Sequence, residues 1–78
     1  MPPEAFVLFK TQTSHEQQVY IELRDHPLVA ETHALYGEFD LIARVTSTGQ
    51  KELTQLLLTG FRQIEGVKET QTLIVVNY

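Results

Sequence analysis

Four consecutive residues, Gly37-Glu38-Phe39-Asp40, concentrate the chemistry of this chain. Two carboxylates flank an aromatic ring, behind a glycine that tolerates positive φ. Asp40 can grip a positively charged guest through a charge-assisted hydrogen bond. Backbone N–H groups around Gly37 can face the guest's anionic part, because glycine lets a ligand approach the main chain. Tyr36 and Phe39 would wall the rest of such a pocket. The competing reading is structural: an aspartate beside a hairpin turn often caps local N–H groups in proteins that bind nothing.

The other reactive side chains form no constellation. Glu38 and Asp40 have the spacing of an acid/base pair, but no nucleophile or third group accompanies them, so an enzyme is not expected. There is no cysteine, and His15, His26 and His33 lack ligand spacing. Disulfides, a metal site and a cofactor are therefore not expected. His26, after Asp25 and before Pro27, suits a helix C-terminus. His33 reads as a sheet-surface residue, on the face of Val29, Glu31 and Leu35.

Composition narrows the partners. The 78 residues carry a net charge of −4, and their six Lys and Arg are scattered. No basic stripe meets phosphates, which argues against direct nucleic-acid binding. No apolar run is long enough to cross a membrane, and MPPEAF lacks the marks of a signal peptide. A cytoplasmic protein is the expectation. One domain of this size buries only about 60% of its unfolded surface. With disulfides and metals excluded, self-association is the remaining source of stability.

The elements that must position the turn follow from periodicity. Ala5 to Lys10 is an apolar strand. A helix follows, with Thr13/Glu16 or Ser14/Gln17 at capping-box spacing and an end at Pro27. Val29 to Tyr36 and Phe39 to Thr46 read as a hairpin turning at Gly37-Glu38. Leu53, Leu56, Leu57, Gly60, Phe61 and Ile64 define an amphipathic helix from Gln50. Gly60 on its apolar face suggests close approach to a strand, and Gly66 fits a helix C′ position. Val67 to Val76 is the last strand. The order β-α-β-β-α-β predicts a ferredoxin-like α+β fold, a four-stranded antiparallel sheet with two helices on one face, spanning residues 1–78 as one domain.

The chain also repeats itself at an offset of 38: Arg24/Arg62, Val29/Val67, Glu31/Glu69, Thr32/Thr70 and Leu35/Leu73 coincide, as do Ala5/Ala43 and Val7/Val45. Two similar βαβ halves suit a pseudo-twofold fold. The first and third strands are apolar on both sides, whereas a sheet wet on one face should alternate. The open face is therefore expected to pack on a second copy, as a dimeric α/β barrel. Arg44 on that face reads either as a snorkelling side chain or as an inter-subunit ion pair.

Three segments in this order resemble the ligand-binding (RAM) domain of the Lrp/AsnC transcription regulators: Pro27-x-Val29, Gly37-Glu38-Phe39-Asp40-Leu41, and Ile64-Glu65-Gly66-Val67-x-x-Thr70-x-Thr72. The resemblance covers nearly the whole chain. It implies sheet-to-sheet homodimers that join into an octamer or similar ring, with amino-acid effectors bound between dimers beside the turn. Asp40 falls on the family's turn aspartate, and Thr70, Thr72 and Leu73 fall on the strand facing that cleft. Full-length members carry an N-terminal helix-turn-helix, so the chain reads as a stand-alone form able to co-assemble with full-length regulators. The alternative is a small enzyme of the monooxygenase-like dimeric α/β barrels, which the scattered histidines and lack of Trp disfavour. An ACT-type domain would need a glycine after the first strand, where Lys10 to Thr13 has none.

Overall fold

Strand β1 (Glu4–Thr11) alternates fully buried Ala5, Val7 and Phe9 with half-buried Phe6, Leu8 and Lys10, the period of two that a pleated strand imposes. The computed structural model describes residues 4–47 and 49–76. After β1 come α1 (Glu16–Arg24), β2 (Val29–Ala34), β3 (Leu41–Thr46), α2 (Gln50–Gln55) and β4 (Val67–Ile74). The strands lie in the order β2-β3-β1-β4, every neighbouring pair antiparallel. This is the expected ferredoxin-like α+β arrangement. It leaves β2 and β4 as opposite edges.

The core lies between the sheet and its helices. Val19 and Leu23 of α1, Leu53 of α2 and Phe61 pack on Val7, Phe9, Leu41, Ala43 and Val45. Phe9 and Phe61 meet edge to face at 5.5 Å, worth about 1 kcal/mol beyond their buried area. The internal repeat appears as reciprocal pairing: Ala5 lies opposite Val45, and Val7 opposite Ala43.

Several local expectations change. No side chain caps α1. His15 holds the N-cap position and Ser14 sits at φ 70°, because the chain reverses sharply after β1 in a turn tied by Gln12 N–H to Gly66 O at 2.8 Å. The second helix is regular only to Gln55. A wider π turn (Leu56–Gly60) and a 3-10 turn (Phe61–Gln63) complete this α2 arm. Gly60 approaches no strand; a Cβ there would meet Leu56 Cδ1, one turn back, at 2.7 Å. Strand β2 is kinked between Val29 and Glu31. Val29 faces the helices opposite Val45, while Glu31 and His33 face the other side beside Arg44 and Ile42.

That other side is the open face. Phe6, Leu8, Ile42 and Leu73 occupy it through the pairs Leu8–Ile42 and Phe6–Leu73. Arg44 is paired within the chain rather than snorkelling free. Its Nε donates to Glu31 Oε1 at 2.6 Å and its Nη1 to Glu4 Oε2 at 3.0 Å.

Candidate functional site

The β2–β3 hairpin is wider than a two-residue turn. Pairing stops at Ala34–Leu41, and residues 35–40 form a loop that reverses at Gly37, whose φ of 146° favours glycine. Leu35 N–H donates to Asp40 O at 2.8 Å, and Asp40 N–H donates to Phe9 O at 2.9 Å. The Asp40 carboxylate is held as well: the Thr11 N–H and hydroxyl both donate to its Oδ2, at 2.8 and 3.0 Å. The structural reading of Asp40 is realised in these bonds. One oxygen clamps the loop to the end of β1, while the residue also lines a groove.

This groove, about 480 Å3, runs between α1 and the hairpin. Glu16, Gln17 and Tyr20 form one wall; Thr32, His33, Ala34, Leu35, Asp40 and Leu41 form the other. Its lining holds the carboxylates of Glu16 and Asp40 and the residue His33, with no Lys or Arg. The hydroxyl oxygen of Thr32 is shielded from solvent and makes no hydrogen bond. A buried, unmade hydrogen bond costs about 1–3 kcal/mol. The groove has apolar walls with a few polar groups, the usual make-up of a small-molecule site.

The remaining predicted site residues lie elsewhere. Tyr36 is fully exposed at the loop tip. Phe39 lies beneath the Lys10 ammonium, 5.3 Å from its ring centroid, and with Gly37 stands outside the groove lining. Thr70 and Thr72 are at the far edge of the sheet, in a cleft against the α2 arm. Leu73, the next residue, points to the open face opposite Phe6. Within one protomer, therefore, only Asp40 of the predicted set reaches the groove. Sequence reading missed Thr11, Glu16, Tyr20 and Thr32. The repeat had marked Thr32 as the counterpart of Thr70, but nothing in the sequence says that its hydroxyl lacks a partner. His26 is structural: its Nδ1 accepts the Leu28 N–H at 3.1 Å, and its ring lies 5.7 Å from that of Phe61.

The sequence profile of the Lrp/AsnC ligand binding domain matches residues 4–77. The chain belongs to this family. The family is one of ligand-binding domains. The chain is 30% identical over 73 residues to the HTH-type transcriptional regulator FL11 of Pyrococcus furiosus, a match covering 92% of the chain and 47% of the regulator. It spans about half the length of the curated relatives it matches. Protein PHS023 from Pyrococcus horikoshii superposes with a TM-score of 0.88 at 32% identity, over 97% of this chain and 92% of that one. The regulator NMB0573 from Neisseria meningitidis, solved with L-Met, shares the fold at a TM-score of 0.82 and 21% identity, over 96% of this chain and 50% of that one. Among the described residues, no helix is long and apolar enough to cross a membrane.

Proposed function

We propose that the chain is an effector-binding module whose groove beside Asp40 takes a small amino acid. The reading is carried by one observation: Asp40 lines a groove that has carboxylates for an ammonium and apolar walls for a side chain, with Thr32 in the same wall. Family membership and the L-Met complex of NMB0573 support an amino acid as the guest. Asp40 would hold the ammonium through the carboxylate oxygen left free by Thr11. The test is a thermal-shift screen of the twenty amino acids on wild type and Asp40→Asn. The amide keeps an acceptor for Thr11 and removes the negative charge. A ligand at a hundredfold excess over its dissociation constant stabilises by about 2.7 kcal/mol. Stabilisation of the wild type that Asp40→Asn loses is expected. No response to any amino acid, or equal responses in both proteins, would refute the site.

We also infer self-association through the open face, where Phe6, Leu8, Ile42 and Leu73 form an apolar centre with Leu73 49% exposed. A second copy would cover them and account for a sheet apolar on both sides. Sedimentation of the 8.9 kDa chain should report a dimer or a multiple of it. Leu8→Glu, which puts a charge at the centre of this patch, should leave a monomer. A monomeric wild type would refute the inference.

A further inference from the structure

The internal repeat produces two equivalent clefts. Glu16, Tyr20, Thr32 and Ala34 of the α1–β2 groove stand 38 residues before Thr54, Leu58, Thr70 and Thr72, which line a cleft of about 390 Å3 between the α2 arm and β4. Position corresponds, but chemistry is inverted. The first groove has two carboxylates and no Lys or Arg; the second has Arg62 and no acidic residue. Leu57, Leu58 and Ile74 make its walls aliphatic, and the last two are 62% and 53% exposed.

The cation is uncommitted. Lys10, Arg24 and Arg44 each pair with a carboxylate. Among the described residues Lys51, Arg62 and Lys68 form no ion pair; Lys68 joins Arg62 in a depression adjoining this cleft. Glu69 lines the same depression, but its carboxylate turns to Lys10 at 3.8 Å. In a chain of net charge −4, two unpaired cations meeting beside threonine hydroxyls and an exposed aliphatic wall describe a place for an anion with an apolar tail.

We propose that the α2–β4 cleft is a second binding site, independent of the Asp40 groove, for a small aliphatic monocarboxylate without an ammonium group, of the 2-oxo acid class. Arg62 presents the planar fork that matches a carboxylate in two parallel hydrogen bonds. Thr70 and Thr72 supply hydroxyl donors for the carboxylate or the 2-oxo group. Leu57, Leu58 and Ile74 cover the tail. The cleft lining has no acidic side chain to hold an ammonium, so the corresponding amine is rejected.

The test is an amide NMR titration of the full chain with 4-methyl-2-oxopentanoate, with isopentylamine as the cationic control. Saturable shifts are expected at Leu58, Thr70 and Thr72, and none there with the amine. Arg62→Gln should weaken the oxo acid by about threefold to fivefold, as befits an exposed arginine, whereas Lys51→Gln, which removes an exposed charge elsewhere on α2, should leave its affinity unchanged. The proposal is overturned if the oxo acid gives no saturable shift at these residues, if the amine binds equally well, or if the two substitutions act alike. Amino-acid binding at the Asp40 groove is read separately, at Thr32 and Leu35, so either site can fail without the other.

Discussion

Thr11 donates twice to one oxygen of Asp40: its backbone N–H at 2.8 Å and its hydroxyl at 3.0 Å both end on Oδ2. The pair joins residues 29 apart in sequence and fastens the β2–β3 loop to the last residue of β1. The clamp holds the Asp40 carboxylate still.

Asp40→Ala should therefore destabilise the ligand-free protein. It removes the acceptor of a half-buried N–H, a loss of about 1–3 kcal/mol. Thr11→Val removes only the hydroxyl and should cost about 1 kcal/mol, while Asp40→Asn should cost least because an acceptor remains. Urea denaturation of the three variants gives the order. If Asp40→Ala matched wild type, the clamp would carry no stability.

The Arg44 network predicts an acid limb. Its hydrogen bond from Arg44, reinforced by one from His33, holds the Glu31 carboxyl below its ordinary value of 4.5. The folded chain thus binds fewer protons at Glu31 than the unfolded chain. The contribution is present above pH 4.5 and is lost as pH falls through the lower folded value. Exposure keeps it small, and salt should weaken it further. In denaturation series run from neutral pH into acid, Glu31→Gln should show a shallower loss of stability than wild type.

Two glycines should respond oppositely to alanine. Gly66 has φ 97°, and a Cβ there would lie 2.8 Å from His15 Cβ. Gly66→Ala should therefore cost about 2 kcal/mol or more. At Gly60 the obstacle is Leu56 Cδ1 at 2.7 Å, the far end of a side chain that can rotate. The gain in helix propensity, about 1 kcal/mol, should offset that adjustment and leave Gly60→Ala near neutral. Thermal melts of the two variants separate the cases.

The element order, the antiparallel sheet and the two-faced apolar strands were legible in the sequence because each rests on periodicity. The repeat was legible too, and it returns as the Ala5–Val45 and Val7–Ala43 pairs. Faces failed where one irregular residue intervened. The kink between Val29 and Glu31 moved Val29 to the helix side, and the π turn carried Gly60 away from any strand. The site was half legible. Asp40 stood out by its local pattern, but Thr11, Glu16 and Tyr20 reach it only through tertiary packing. Thr70 and Thr72 sit on the edge opposite β2, as the ferredoxin-like strand order requires, so within one chain they stand away from the Asp40 groove.

Thr32 offers the sharpest separation of stability from binding. Its hydroxyl is shielded from water and unpaired, a state that costs about 1–3 kcal/mol. Valine has nearly the same shape, suits a strand and brings no polar atom. Thr32→Val should therefore raise the stability of the ligand-free protein by about 1 kcal/mol, against the usual trend of substitutions. If a ligand in the groove uses that hydroxyl, the same variant should show a smaller ligand-induced melting shift than wild type. Gains and losses of this kind mark a polar group kept for binding at the expense of folding. A variant both less stable and equally responsive to ligand would show instead that the hydroxyl serves the fold alone.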